Sequence, residues 1–412
     1  MHADLEALVE ANVAVAVEDL CALLAFDTSL PPGQGYAAVT RWLACKVEAL
    51  GFETETVTLP EQLWQRPGLG LEGPRINLVA HRHTSHPPVS VYAHMDVVPP
   101  GPGWTVPPFQ GTVRGDRVYG RGSADMKGAI ASLLAALRAL ADAGWPLTFQ
   151  PILLFCTDEE GGSYPGIRCL AEQGFVQGHL LCLDGQAKPR RWAGCCGMVD
   201  YRCVVLGKGG HSGEPGQAGA NAIEAAIPIL VALQELKGRV EQRRSAMPAA
   251  PWNPVRYVQP RLNVTLIRGG SKSNVIPAEC EIWINRRYLP EEDLDAVVAE
   301  LEEVLQSPGI PLRLDGVMAH LPPVRNPIGP HWPSWEGALA KGFGYRPSDF
   351  VLYGSSSSSD MGWVQETGVQ EILLGGLSRP ENNVHGPDEW VSITDLAALA
   401  KALALYLAGW TC

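Results

Sequence analysis

The sequence predicts an α/β domain built on a mixed sheet and interrupted by a smaller, inserted α+β domain. Two observations point to the first domain. Short continuous apolar runs, PILLFC and HLLCL, read as strands buried on both faces, and apolar helices such as 125–144 alternate with them. The third observation is a change of pattern near residue 197. There the strands begin to alternate apolar and polar residues, as one-sided sheets do, and apolar character returns only after about 318. The expected domains are therefore 1–196 with 318–412, and the insertion 197–317.

The elements follow in order. Residues 5–24 carry helical apolar spacing, TSLPPGQG (28–35) is a loop, and 36–51 is a second amphipathic helix ending at Gly51. FETETVTL then alternates like a strand. RINLVAHRH and PVSVYAH read as two strands of a hairpin joined by TSHPP. A helix over 125–144 precedes the buried strands 151–157 and 179–184. In the insertion, MVDYRCVVLG, RLNVTLIRGG and AECEIWINRRYL are strands, with helices at 221–238 and 290–307. That is a strand-helix-strand-strand-helix unit with one helical face. The serine run at 355–359 sits between VLYG and DMGW and reads as an ordered loop.

Composition removes several function classes. A chain of 412 residues with 46% hydrophobic and 18% charged residues is globular and long enough for two domains. Its net charge of −12 argues against nucleic acid as a partner, since nothing here would neutralise a phosphate backbone. No apolar run reaches bilayer length, and the acidic N-terminus lacks a signal-peptide pattern. Ten cysteines without a C-x-x-C pair suit a reducing cytosol, so a cytoplasmic protein without membrane contact is expected.

Four histidines, His81, His83, His86 and His94, crowd into fourteen residues. Only His94 is expected at the C-terminal end of a strand, where open α/β sheets hold ligands. The other three are expected as exposed polar residues of an outer hairpin. Asp96, two residues on, can accept the second N–H of His94 and fix its tautomer. Asp125 opens a long helix after Gly122 and Ser123, a place where N–H groups of a glycine turn suit an anionic carboxylate. Glu159 and Glu160 emerge together from a buried strand, and adjacent carboxylates raise each other's pKa unless a cation relieves them. Asp184 ends another strand, and His385 lies near the C-terminus. His94, Asp125, Glu160, Asp184 and His385 form a thiolate-free set suited to hydrolytic zinc, manganese or cobalt. With one carboxylate bridging, such a set would hold two metals about 3.5–4 Å apart.

The segments YAHMDVVPPG, YGRGSADMKG, CTDEEGG, GKGGHSGEP, SNVIPAE and NVHGPDE, in this order, resemble the motifs of the co-catalytic metallopeptidase and deacylase family. Acetylornithine deacetylase, succinyl-diaminopimelate desuccinylase, aminoacylase, glutamate-releasing carboxypeptidases and several dipeptidases belong to it. The resemblance covers about residues 75–392. It implies a catalytic domain of zinc-peptidase type, a lid that mediates homodimerisation, and two divalent ions, most commonly Zn2+, with Co2+ or Mn2+ as alternatives. It implies further that His94 and Asp184 hold one ion, Glu160 and His385 the other, that Asp125 bridges the two, and that the Asp125–Met126 peptide is cis. Asp96 would orient His94, and Glu159 would act as general base. His211 would stabilise the oxyanion from the partner subunit's lid, Arg287 would grip a substrate carboxylate, and Asn274 would touch substrate. Arg286 is adjacent to Arg287 and points to the opposite strand face, and one of the two is expected to be only a surface charge.

Two segments depart from the deacylase pattern. LDGQAKP lacks the Glu of the desuccinylases, so Asp184 is more like the dipeptidase and aminopeptidase members, and SSSSSDMGW replaces a T-S-D-G type substrate loop. The resulting expectation is a dinuclear amidohydrolase that cleaves an N-acyl or peptide bond beside an α-carboxylate of a small-molecule substrate. A C–N hydrolase of the same fold acting on a non-peptide substrate, or a non-catalytic binding protein, are the rival readings.

Overall fold

The structure is a computed structural model and describes residues 2–65, 70–161, 164–213 and 220–410. It divides into two compact units, one of residues 1–192, 326–352 and 363–412, the other of 193–325 and 353–362.

The first unit is organised by a six-stranded mixed sheet. Its spatial order is Glu53–Thr58, Ile76–His81, Gln150–Cys156, Pro88–His94, His179–Gln186 and Ile372–Ser378. The last four run parallel, and the first two are antiparallel additions at one edge. The expected hairpin is absent. Ile76–His81 pairs with Gln150–Cys156, which lies between it and Pro88–His94. Both runs are buried on both faces, so local pattern could not separate direct neighbours from next-but-one neighbours. The connection over 82–87 only has to cross two strand spacings, about 10 Å, which six residues span easily.

The helix Lys127–Asp142 is apolar nearly all round and accordingly buried, with Ala129, Ile130, Leu133 and Leu134 fully enclosed. It packs against Val13–Leu24 and Ile393–Leu407. Its one arginine, Arg138, reaches Asp19 at 3.2 Å. The predicted helix over 5–24 is two helices, His2–Ala11 and Val13–Leu24, broken at Asn12. Between the last two strands of the sheet, Gly185 and Gly376 face each other so closely that a Cβ on Gly376 would lie 2.2 Å from the Gly185 carbonyl oxygen. That close approach sets the backbone immediately after Asp184.

The second unit is a four-stranded antiparallel sheet, ordered Arg261–Gly269, Glu279–Tyr288, Gly197–Leu206 and Leu312–Leu321. Helices Ala222–Val240 and Leu294–Gln306 contribute to a core with Val199, Tyr201, Ile282 and Ile284. The outer strand Leu312–Leu321 straddles the expected boundary at 317–318. Register shifts at Leu314/Gly316 and Val317/Ala319 break its period of two and hide it from pattern reading.

Candidate active site

In the first unit, five chain segments bring the candidate residues together. His94 ends its strand fully buried, with Nε2 3.2 Å from Oδ1 of Asp125 and 3.9 Å from Oδ1 of Asp184. Oδ2 of Asp125 lies 3.3 Å from Nε2 of His385, which also approaches Glu160 Oε2 at 3.1 Å. Asp125 thus faces a different imidazole with each oxygen. Ligand-capable atoms of His94, Asp125 and Glu160 lie within 4.8 Å of one another, as do those of His94, Glu159 and Asp184. The peptide Asp125–Met126 is cis, as the family resemblance implied.

Asp96 acts differently from expectation. The N–H of His94 Nδ1 meets the main-chain carbonyl of Asp96 at 3.0 Å, while the nearest carboxylate oxygen stands at 3.7 Å. The Asp96 carboxylate instead accepts the main-chain N–H of Glu160 at 2.9 Å, joining the loops that carry His94 and Glu160. Its other oxygen, Oδ1, is buried without a hydrogen bond among the described residues.

The glycine turn before Asp125 also serves another carboxylate. Main-chain N–H groups of Gly122, Ala124 and Asp125 all donate to Glu389, which is fully buried. Arg121 donates to Glu389 at 2.5 Å and to the carbonyls of His385 and Gly386 at 3.0 Å. One buried pair therefore clamps both the Asp125 loop and the His385 loop. It also holds His385 at φ +65, a conformation sparsely populated by side-chain-bearing residues. Burial pushes the Glu389 carboxyl up to about 7, against Arg121 and the N–H groups.

A second buried network supports the glutamates. Asp158, at φ +64, accepts from Tyr36 at 2.9 Å and from Arg75 at 2.8 Å, and all three are essentially inaccessible. Burial, with the Asp96 charge, raises Asp158 to about 6. Arg75, Tyr36, Asp158, Arg121 and Glu389 escaped sequence reading. Three of them lie inside the quoted motifs, but their partners are 83 to 268 residues distant.

The electrostatics call for cations. Burial opposes charge on His94, yet Asp125, Asp96, Glu159 and Asp184 hold its pKa well above the ordinary value. Asp125 and Glu160 raise His385 to about 10. Burial raises Glu160, and the Asp125 charge adds to it, while His385 pulls the other way. For Asp125 the two imidazoles outweigh burial, and its carboxyl lies below the ordinary range. Five carboxylates around two imidazoles leave excess negative charge in a confined space. The donor set and the orphaned Asp96 oxygen fit divalent ions.

The second unit holds the remaining candidates. His211 lies on a two-residue strand paired with Val275–Ile276, and the N–H of Ser212 donates to the carbonyl of Asn274 at 3.1 Å. Glu214 and Pro215 of the same motif lie outside the described residues. Arg287 faces away from the helices and donates to Asn285 at 3.1 Å and to Ser358 at 2.6 Å. Arg286 is the inward-facing member of the pair. It is no surface charge but is 2% exposed and paired with Glu292 at 2.5 Å, because alternation turns it toward the core.

Residues 90–409 match Peptidase family M20/M25/M40. The chain belongs to this family. A succinyl-diaminopimelate desuccinylase from Alkalilimnicola ehrlichii is 30% identical over 379 residues, covering 89% of this chain and 92% of the relative. Among solved structures, the di-peptidase Dug1p from Saccharomyces cerevisiae superposes with a TM-score of 0.79 at 17% identity, covering 99% and 98% of the two chains. The M20 family metallo-carboxypeptidase Sso-CP2 from Sulfolobus solfataricus gives a TM-score of 0.76 at 20% identity, covering 95% and 98%. As a member of Peptidase family M20/M25/M40, this chain is a metal-dependent hydrolase of amide bonds. No helix among the described residues is long and apolar enough to cross a membrane.

Proposed function

We propose that the protein is a dinuclear amidohydrolase that removes an acyl or aminoacyl group from an amino acid with a free α-carboxylate. One observation carries the reading: Asp125 offers Oδ1 toward His94 and Oδ2 toward His385, the disposition of a bridging ligand. His94 and Asp184 would hold one ion, Glu160 and His385 the other, with Zn2+ favoured and Co2+ or Mn2+ possible substitutes. When bound, the ions supply Lewis acidity that polarises the scissile carbonyl and acidifies water. Glu159, unburdened by a ligand role, takes the proton from the attacking water and delivers it to the leaving amine nitrogen. The carbonyl carbon gains the hydroxyl oxygen as its C–N bond breaks. His211 would donate to the tetrahedral oxyanion and Arg287 would grip the substrate carboxylate through its planar fork. Asn285 and Ser358 fix that guanidinium, and Asn274 is held beside His211 as a substrate contact.

The working form is a cytosolic homodimer. Nine described cysteines are all free, in keeping with a reducing compartment. On helix Ala222–Val240, Ile223, Ile227 and Val231 form an exposed apolar stripe, and Ile267 is exposed on the edge strand of the same unit. An unpaired edge beside an apolar stripe is the kind of surface a second copy covers. Elemental analysis together with a screen of N-acetyl, N-succinyl and dipeptide substrates tests the function. Two divalent ions per chain and turnover confined to substrates with a free carboxylate are expected. Equal turnover after the carboxylate is amidated would overturn the substrate reading.

A further inference from the structure

A second group of metal-binding side chains lies at the outer edge of the main sheet. Glu53 opens the edge strand and stands directly opposite His81 in the antiparallel register. Directly opposed residues share a face with Cβ atoms about 4.5–5.5 Å apart. His83 follows two residues later, the spacing that returns an extended chain to the same face. The structure shows the result. The two imidazole centroids are 4.9 Å apart, His83 Nε2 is 3.8 Å from Glu53 Oε2, and ligand-capable atoms of all three lie within 4.8 Å.

Neither imidazole has a hydrogen-bonding partner among the described residues, so their nitrogen lone pairs are uncommitted. The set offers two imidazoles and one carboxylate, a donor combination for borderline divalent ions. Around a tetrahedral ion with bonds of about 2.0–2.1 Å, ligand atoms stand about 3.4 Å apart. The present spacing needs only a modest rotation of the exposed Glu53 and His83 side chains toward the half-buried His81 to reach that value.

We propose that Glu53, His81 and His83 form a peripheral site for a divalent transition ion of the Zn2+, Ni2+ or Cu2+ class, with water completing the coordination. It is separate from the catalytic centre. His81 pairs with Ile152 and Ile152 with Ser90, four residues before His94, so the two places are about 13 Å apart along the strands. Three ligands on an exposed edge make an exchangeable site, filled when free metal rises.

Equilibrium dialysis of the full chain against Zn2+, and separately Ni2+, tests it. Wild type is expected to take up one more equivalent than His81→Ala/His83→Ala at saturating free metal, with hydrolysis unchanged in the variant at limiting metal. His94→Ala should lose catalytic metal and turnover yet keep the extra equivalent, which separates this site from the catalytic reading. Zn2+ should shift the imidazole resonances of His81 and His83 in both wild type and His94→Ala. Equal uptake by wild type and the double variant, or unshifted resonances at saturation, would overturn the proposal.

Discussion

Glu389 accepts the main-chain N–H of Asp125 at 3.2 Å, so the proposed bridging ligand is positioned by a carboxylate 264 residues away. Partners that orient metal ligands typically contribute 10–100-fold to metal affinity. Glu389→Gln, which preserves size but not charge, should weaken metal binding by about that factor in a folded protein. Glu389→Ala should in addition destabilise by about 3–5 kcal/mol, since Arg121 would remain buried without its partner. Metal titration and denaturant unfolding check the two effects separately, and wild-type metal affinity in Glu389→Gln would sink the positioning role.

The neighbouring glutamates should separate by phenotype. Glu159→Ala should keep bound metal and lose turnover by at least roughly 10²–10⁴-fold, the range of general acid–base catalysis. Glu160→Ala should lose metal as well, because its carboxylate faces His385 at 3.1 Å. Elemental analysis beside steady-state kinetics distinguishes them. The opposite pattern would exchange the roles.

Acid stability should depend on His179, which opens the strand that carries Asp184 five residues later. Burial, and then the charge of His331, depress its pKa to about 3, and its Nε2 meets the Tyr406 hydroxyl at 2.6 Å. An unfolded histidine titrates near 6.5. Between those values the unfolded chain binds a proton that the native state refuses. Stability therefore falls as pH drops below about 6.5, by up to about 1.4 kcal/mol per pH unit, and this contribution vanishes above it. His179→Gln should flatten the slope between pH 6.5 and 4 in urea unfolding. Parallel curves for variant and wild type would refute the assignment.

His211→Ala should be nearly inactive with its metals in place, since one oxyanion donor is worth on the order of 10²–10³ in turnover. If the homodimer exchanges this histidine between subunits, mixing His211→Ala with Glu159→Ala creates heterodimers with one intact site. Statistical pairing sets the recovery at roughly a quarter of wild-type activity. No recovery after demonstrated subunit exchange would place His211 within its own subunit's chemistry or outside it.

The sequence by itself determined the class of fold, a helix expected over 125–144 and found over 127–142, and which residue types stand at the candidate site. Apolar periodicity and strand-end carboxylates are local properties, readable over a few residues. Tertiary structure alone decided that Gln150–Cys156 separates the two strands expected to form a hairpin, since adjacency in a sheet is set by packing and not by chain order. It also decided how the candidate residues are held. Asp96 was read correctly as a neighbour of His94, but only the folded backbone shows its carbonyl on the imidazole and its carboxylate on the Glu160 loop. Arg121 with Glu389 and Arg75 with Asp158 are buried charges that become favourable only when distant segments bring the partners together. No local pattern encodes such a pair, because each member alone looks like a surface charge.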